Sequence, residues 1–507
     1  MRPKLQLLTA DLIQQILNEA RTILAELGVE IHNPGVIELL AAHGAQVQTG
    51  RESAEGTVPG FRSGNSGTVP VTVRIPGALI DQALKTAPKT FRLYDVLGNQ
   101  THDFSGNNVH FTPGSAALNI LDYETQVIRR PSTRDYIAYA KLVSRLANIA
   151  AQSTAFIPED VTERISDSYR LFLSLLYCEK PVVTGTFTAE SFAVMRDMQL
   201  AVRGSAQALR EKPMTVFSCC PTAPLKWSDV TSQNVVDCAR NWLPVEFISM
   251  PLSGFMAPVT LVGTLVQHTA ETLSGIVISQ LAQPGAPILY GGSPAIFDVR
   301  RETTPMGAIE TIMIDCAYNE IGKHLGLPTQ AYIALSDAKL LDAQAGLESG
   351  IGATLAALSG INNVSGPGML DFESCQSLEK LVLDNEICGM ALRLACGIEP
   401  RDDFPAVPLF EEMLREKHLL ISRHTRKHLK TEHYFPGSVI DRSNRPRWLA
   451  DGGKTLGERA HRQVQELVKA WTPSRLPETT KQELVRLMTA EARRYGMETL
   501  PDRDKGD

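Results

Sequence analysis

Cysteine occurs in this chain without any pattern that would give it a structural or metal-binding role. The eight cysteines form no CxxC pair and follow no regular spacing. Disulfide-stapled secreted domains and cysteine-based zinc sites both depend on such spacing. We therefore expect eight reduced thiols in a cytoplasmic protein.

Three further features are missing. The 56 acidic and 50 basic residues leave a net charge of −6, so no basic excess points to nucleic acid or an anionic membrane as partner. The opening residues, MRPKLQLLTADLIQQIL, lack the apolar core and small-residue cleavage site of a signal peptide. The most apolar stretch, 259–283, contains His268 and Glu271, which favours a buried helix over a membrane span.

From residue 109 onward, short β-rich runs alternate with segments of helical periodicity. Eight such runs begin near residues 109, 149, 181, 214, 244, 287, 329 and 362. Alternating strands and helices predict parallel strands joined by right-handed crossovers, and eight units predict a (β/α)₈ TIM barrel. A doubly wound open sheet is the alternative, although no GxGxxG follows the first strand.

The segments before and after these eight units do not show the alternation, so we expect the chain to have three parts. Residues 1–108 are predicted to form a helical N-terminal cap, with a helix over 9–27 that starts at Thr9 and stops at Gly28. Residues 53–70 are expected to be an exposed loop, because they are rich in Gly, Ser and Pro. The barrel occupies 109–398, and 399–507 forms a C-terminal helical extension with a frayed tail over 473–507.

Charged residues follow the seventh β-rich run, in the sequence SDAK (336–339). The carboxyl ends of barrel strands form the working face, so Asp337 and Lys339 are candidate functional residues. Alternatively, the two side chains form an ion pair that only ends the strand. No paired carboxylates and no Ser/His/Asp set accompany them on this face.

A metal site is the alternative raised by HTRKHLKTEHYF, because His424 and His428 share one helical face, a spacing that suits zinc. His433 lies nearby in sequence. We expect no Cys or Asp to complete the ligand set, and the run lies outside the barrel units. A solvated or interface helix is therefore favoured, and no metal is expected to be bound by this chain.

Several blocks resemble the trimethylamine methyltransferase family, specifically its members without pyrrolysine. They are, in the family's order, GVEIHNP, APVTLVGTLVQHTAETLSGIVISQLAQPGAPILYGGSPAIFDVR, SDAKLLDAQAGLES, SGINNVSGPGMLDFESCQSLEKLVLDNE and HTRKHLKTEHYFPGSVIDR. The resemblance covers most of the chain and departs from the family in a longer loop at 52–69.

This resemblance implies a (β/α)₈ barrel that transfers a methyl group from an amine to the Co(I) corrinoid (cobalamin) of a separate corrinoid-binding protein. The chain contains only the twenty standard residues, so the activation attributed to pyrrolysine is absent. A quaternary ammonium already leaves as a neutral amine, which points to glycine betaine, proline betaine, carnitine or γ-butyrobetaine. A non-catalytic sensor barrel and direct transfer to tetrahydrofolate are the alternatives. The helical extension is a candidate contact for a homo-oligomer.

The expected site follows from this chemistry. A quaternary ammonium has no N–H donor, so aromatic faces and carboxylates must recognise it, while Lys339 or His268 would hold a substrate carboxylate. Asp342 and Gln344 begin the helix after SDAK, where Asp342 is alternatively only a cap. Adjacent glycines allow backbone to approach a large ligand, although YGGS (290–293) is alternatively a plain turn. The predicted residues are Asp337 and Lys339 for catalysis; Tyr94, Phe111, Phe156, His268, Tyr290, Tyr332 and Gln344 for substrate; and Gly291, Gly292, Ser293 and Gly366 for the corrinoid.

Overall fold

The N-terminal part combines helices with short strands. A computed structural model of the chain describes residues 2–49 and 71–503, so the exposed loop predicted at 53–70 lies outside the described residues. The first elements are α1 (Ala10–Glu26), β1 (Val29–Ile31), α2 (Pro34–Ala42), β2 (Gln46–Thr49), β3 (Val71–Arg74), α3 (Gly77–Thr86), β4 (Arg92–Tyr94) and β5 (Gln100–Asp103). The Thr9 side chain accepts a hydrogen bond from the Leu12 N–H, which confirms the predicted start of α1.

The middle of the chain alternates strands and helices. The elements are β6 (His110–Thr112), β7 (Asn119–Leu121), β8 (Ile128–Arg129), α4 (Thr133–Val143), β9 (Gln152–Ser153), a 3₁₀ turn (Glu163–Ile165), α5 (Ser166–Tyr177), β10 (Val182–Thr184), α6 (Ser191–Arg203), α7 (Ala206–Glu211), β11 (Thr215–Cys219), β12 (Lys226–Trp227), α8 (Asp229–Arg240), β13 (Val245–Phe247), β14 (Leu252–Ser253), α9 (Leu261–Ala282), β15 (Ile288–Leu289), β16 (Ala295–Ile296), α10 (Ile309–His324), β17 (Gln330–Tyr332), α11 (Ala343–Ser359), β18 (Asn363–Ser365), β19 (Met369–Leu370), β20 (Cys375–Gln376) and α12 (Leu378–Ala395).

Eight parallel strands lie at the centre, one in each β-rich run of the sequence. A five-stranded sheet has the order β15-β13-β11-β10-β9, and a three-stranded sheet has the order β17-β18-β6. Isolated parallel bridges, Tyr290↔Thr329 and Ala117↔Phe156, link the outer strands of one sheet to those of the other. The predicted α/β class is confirmed.

A hairpin closes the amino ends of these strands. The β4–β5 hairpin packs Leu93 and Phe104 against Val183, Val216 and Leu289 of the central strands. Burying these apolar side chains excludes water from that end of the strands. A cavity for a small molecule is therefore expected at the opposite, carboxyl end.

The N-terminal elements do not stand apart from the central strands. Strand β1 pairs with β12, which follows β11, through Glu30↔Lys226 and Ile31↔Trp227. Helices α1 and α3 both pack against α9. The expected cap is thus continuous with the rest of the fold.

The C-terminal part of the described chain consists of helices. It contains α13 (Val407–Glu416), α14 (Arg423–Glu432), α15 (Arg445–Ala450), α16 (Leu456–Lys469) and α17 (Glu478–Arg494). Leu484 and Met488 of α17 are fully buried where this helix packs on α5 and α6. Within the segment 473–507, which the sequence predicts to be frayed, α17 thus has its apolar face covered.

The sequence predicts reduced cysteines and no membrane-spanning helix. All eight cysteines, which lie within the described ranges, carry free thiols. Among the helices that the structure describes, none has the length and apolarity needed to cross a membrane.

Candidate active site

A cavity of 580 Å³ lies at the carboxyl ends of the central strands. This volume lies within the range of small-molecule sites, about 300–1,000 Å³. A larger cavity of 780 Å³ collects residues from 118–188 only, whereas the 580 Å³ cavity draws residues from most of the parallel strands. Its lining includes Ser115, Thr154, Arg170, Gly185, Phe187, Ser218, Cys220, Ile248, Met250, Met256, Ser293, Tyr332 and Glu373.

Glu373 is the most unusual group in this cavity. Its Oε1 atom is buried and has no hydrogen-bond partner among the described residues. Burial raises the pKa of the Glu373 carboxyl to about 8. A buried carboxyl without a partner is costly to an isolated protein, and a cationic ligand would remove that cost. The acidic run DFES after the eighth strand was the available sequence signal, and our sequence reasoning missed it.

A left-handed turn carries Glu373 into the cavity. Asp371, Phe372 and Glu373 have φ values of +50°, +55° and +69°, in the loop that joins β19 to β20. Residues other than glycine pay about 1–3 kcal/mol each in sparsely populated backbone regions. The surrounding contacts must therefore stabilise this loop.

Tyr332 supplies an aromatic group to the same cavity. Its hydroxyl lies 2.7 Å from the Ser115 Oγ, and the ring lies at the end of β17. Burial, followed by the charges of Glu246 and Glu373, raises the Tyr332 pKa well above its ordinary value. The phenol therefore stays neutral, and its ring face can contact a cation.

A second buried carboxyl, that of Glu246, lies next to the cavity lining. Glu246 of β13 accepts hydrogen bonds from Ser218 Oγ (2.7 Å) and Asn363 Nδ2 (2.9 Å). Burial raises its pKa to about 7. Ser218 also lines the cavity, so Glu246 holds part of the cavity wall in place. The sequence signal for Glu246 was a single acidic residue inside an apolar strand, PVEFISM.

Arg170, which is ion-paired with Asp167, also lines the cavity. Its guanidinium donates to Asp167 Oδ1 (2.8 Å), the Thr154 carbonyl (2.9 Å) and the Ser166 carbonyl (3.3 Å). These contacts use three of the five N–H donors that a guanidinium carries. Arg170 is thus held rigidly and still faces the cavity, where it can bind a carboxylate.

Most of the aromatic residues predicted to bind substrate point away from the cavity. Phe156 packs against the rings of Tyr136 and Tyr139, and Phe111 is also fully buried. Tyr290 donates a hydrogen bond to Thr269 of α9. Successive side chains of a strand alternate between its two faces, and a strand's position in the sequence does not show which face is inward.

His268 also lies outside the cavity. Its ring stacks on Tyr318 at 4.2 Å between centroids, and its Nε2 lies 3.0 Å from the Gly291 carbonyl oxygen. Burial lowers its pKa to about 3, so the imidazole is neutral. A neutral, enclosed ring is a poor partner for a substrate carboxylate.

Of the four residues predicted to face the corrinoid, one lines the cavity and three do not. Ser293 lines the cavity. A Cβ at Gly291 would collide with Gln330, one at Gly292 with His268, and one at Gly366 with the Ile333 carbonyl. These glycines are therefore required by packing within the protein, a requirement that does not depend on a ligand.

The SDAK segment lies beside the cavity. The Asp337 carboxylate accepts hydrogen bonds from the Met306 and Gly307 N–H groups, both at 2.9 Å. Burial raises the Asp337 pKa to about 6. Neither Asp337 nor Lys339 lines the cavity, and their catalytic roles stay predictions.

Two predicted substrate contacts are distant from the cavity lining. Gln344 is exposed and donates a hydrogen bond to Glu348, while Asp342 caps α11. Tyr94 lies in the β4–β5 hairpin, at the amino ends of the strands. The hairpin packs on the central strands, and the sequence alone did not show where it would pack.

The histidine pair of α14 has an acidic neighbour that the sequence reasoning did not anticipate. Asp402, His424 and His428 place one potential ligand atom each within 4.8 Å of one another. Asp402 also pairs with Lys427 Nζ at 2.9 Å. The objection that no Asp completes the set is thus wrong, although the lysine already neutralises this carboxylate. The expected absence of a bound metal stays a prediction.

Comparisons with known proteins identify the family. A family model described as trimethylamine methyltransferase matches residues 1–495. A trimethylamine methyltransferase of Desulfitobacterium hafniense (strain DSM 10664 / DCB-2) is 30% identical over 84% of this chain and 85% of that protein. One from Methanosarcina barkeri is 30% identical, covering 92% and 91% of the two chains.

Two further similarities concern a curated protein and a solved structure. A glycine betaine methyltransferase of Desulfitobacterium hafniense (strain Y51) is 28% identical over 94% of each chain. The crystal structure of the Methanosarcina barkeri monomethylamine methyltransferase superposes with a TM-score of 0.49 at 11% identity, covering 97% of this chain and 89% of that one. On the family model and the 30% identical relatives, the chain belongs to the trimethylamine methyltransferase family and is a methyltransferase.

Proposed function

We propose that this enzyme transfers a methyl group from a quaternary amine, glycine betaine or a related betaine, to the Co(I) corrinoid of a partner protein. One observation carries the proposal: the unpartnered Glu373 carboxyl shares a 580 Å³ cavity with the Tyr332 ring. A carboxylate and an aromatic face are the groups that attract a cation without N–H donors. Family membership supplies the methyl-transfer chemistry.

We also propose that the eight parallel strands form a closed (β/α)₈ barrel over 109–398, capped by 1–108 and extended by 399–507. The two isolated bridges, Tyr290↔Thr329 and Ala117↔Phe156, support closure, because each joins an edge of one sheet to an edge of the other. In such a barrel the cavity lies at the carboxyl-end face, where barrel enzymes carry their active sites.

The cavity lining contains groups suited to both the ammonium and the carboxylate of a betaine. Glu373 and Tyr332 would hold the ammonium, and a cation–π contact contributes about 0.5–2 kcal/mol. Arg170 would bind the substrate carboxylate through its remaining N–H donors. Fixing both ends orients the methyl carbon, which lowers the entropic part of the barrier to transfer.

The corrinoid, when presented by its partner protein, supplies the nucleophile that takes the methyl group. The cavity has the volume of a small-molecule site, so we place only the amine inside it. Phe187 and Met250 line the cavity and are 59% and 40% exposed, so the opening has an apolar rim. The chain's own residues bind the amine, orient it and exclude water from it. The same proposal places the enzyme in the cytoplasm.

Trimethylamine is the second candidate substrate, because several relatives are named for it. Arg170 favours the betaine, since trimethylamine has no carboxylate to bind it. A non-catalytic sensor of quaternary amines is the remaining alternative.

A spectroscopic assay tests the proposal. The enzyme is mixed with a reduced corrinoid protein and, separately, with glycine betaine, proline betaine, carnitine, γ-butyrobetaine or trimethylamine. We expect the Co(I) absorption to be replaced by that of the methylated corrinoid with a betaine. Conversion with trimethylamine alone would reject the quaternary-amine assignment, and binding without conversion would support the sensor.

A further inference from the structure

We propose that Lys339 is a positioning residue that holds the 371–374 turn in the conformation that places Glu373 in the cavity. Only the ligand assigned to Glu373 depends on the proposed function. The geometry of the turn is independent of it.

Lys339 contacts the turn in two ways. Its Nζ lies 3.5 Å from Asp371 Oδ1 and 3.8 Å from the centre of the Phe372 ring. Both residues immediately precede Glu373. The ion pair and the cation–π contact together restrain the turn more than either contact alone. The lysine side chain loses its conformational entropy only once, although it makes both contacts.

The Lys339 side chain is itself held by the SDAK segment. Its Nζ donates a hydrogen bond of 2.7 Å to the Asp337 carbonyl, and the Ala338 carbonyl accepts from the Asp371 N–H at 2.9 Å. The Asp337 carboxylate is in turn bound to the Met306 and Gly307 N–H groups. The SDAK segment therefore forms a rigid support that reaches the turn through Lys339.

The turn needs such support. Three consecutive residues other than glycine have positive φ, a conformation that single residues adopt at a cost and that a run of residues rarely adopts. Within the turn, Ser374 donates hydrogen bonds to the Asp371 carbonyl and carboxylate. Backbone bonds hold the two ends of the turn: the Asp371 N–H donates to the Ala338 carbonyl, and the Ser374 carbonyl accepts from the Asn119 N–H. Loss of the lysine leaves both ends in place but removes its contacts with the Asp371 carboxylate and the Phe372 ring, so Glu373 would leave its position more often.

The first experiment measures the turn directly. We would compare hydrogen exchange of peptides covering 369–376 in wild type, Lys339→Met, Lys339→Arg and Asp371→Asn. Because Lys339 is 54% exposed, we expect a modest effect, roughly three- to tenfold faster exchange in Lys339→Met and Asp371→Asn. Lys339→Arg should restore slow exchange. Lys430→Met, a substitution on α14, is the matched control.

The second experiment connects the turn to the cavity. Affinity for tetramethylammonium is measured by calorimetry in Lys339→Met, Glu373→Gln and the double variant. We expect Lys339→Met to weaken binding roughly threefold or more in the wild-type background, and to have no effect when Glu373 is already Gln. A general structural defect would weaken binding in both backgrounds.

The outcomes separate this inference from the proposed function. Unchanged exchange and unchanged affinity in Lys339→Met would overturn the positioning role, as would equal losses in both backgrounds. Suppose that wild type transfers no methyl group, while Lys339→Met exchanges faster and weakens binding only when Glu373 is present. This result would reject the proposed function and leave the positioning role intact.

Discussion

At the scale of single residues, the cavity is organised by groups of opposite charge at fixed positions. Glu373 Oε1 has no hydrogen-bond partner in the part of the chain that the structure describes, whereas Arg170 is held by Asp167 and the Thr154 carbonyl. The difference follows from their elements: Arg170 lies on a buried helix, and Glu373 lies on a turn. Asp167 already pairs with Arg170 in the absence of a ligand, so a bound cation would change the charge balance chiefly at Glu373.

The protonation of Glu373 leads to a prediction about pH. Because burial raises its pKa to about 8, the carboxyl is mostly neutral at pH 6 and mostly ionised at pH 9. Cation binding requires the ionised form, so we expect affinity for tetramethylammonium to rise at least about tenfold from pH 6 to pH 9. Calorimetry across this range measures it. Glu373→Gln should bind weakly at every pH, whereas Glu411→Gln, on the exposed α13, should behave as wild type.

A flat profile in wild type would mean that Glu373 does not hold the cation. A profile that persists in Glu373→Gln would assign the titration to another group, with Glu246 as the first candidate because its pKa is raised to about 7.

At the scale of elements, the eight central strands were predictable and the direction of their side chains was not. Each observed strand falls inside one β-rich run, because alternation of apolar strands with helical segments is a local property. The sequence nevertheless predicts Phe111 and Phe156 as cavity residues, whereas neither lines the cavity and Phe156 packs on Tyr136 of α4. A strand of two or three residues offers too few alternations to reveal its inward face.

Helix α17 supports a prediction about stability. Leu484 is fully buried in a segment that the charged composition of the tail suggested would be frayed. We expect Leu484→Ala to lower the free energy of unfolding by about 2–5 kcal/mol, the usual cost of removing a buried leucine side chain. Denaturant unfolding measures the change. Leu420→Ala, at a leucine that is 76% exposed, is the matched control and should change stability by less than about 0.5 kcal/mol. Equal effects would mean that α17 is not packed in solution.

At the scale of the whole molecule, the two ends of the strands are treated differently. The β4–β5 hairpin fills the amino end with apolar side chains, and the carboxyl end keeps a cavity. A ligand that enters this cavity contacts residues from most of the central strands. Binding should therefore stabilise the folded protein as a unit.

This leads to a prediction about thermal unfolding. At a concentration about one hundred times its Kd, glycine betaine should add about 2.7 kcal/mol to the free energy of unfolding. Calorimetric melting with and without the ligand measures the shift. Glu373→Gln should lose it at the same ligand concentration, because its affinity is lower. A similar rise in wild type and variant would indicate a non-specific solute effect and no binding in the cavity.

The alternation of strands and helices and the start of α1 at Thr9 could be predicted from the sequence alone, because both depend on residues close together along the chain. The family could be recognised as well, because its blocks follow one another over most of the sequence. Tertiary structure decided the site. Glu373 reaches the cavity through a left-handed turn supported by Lys339, and Asp402 meets the histidines of α14 across a loop. Contacts between residues distant in sequence depend on how the elements pack, so local patterns do not specify them.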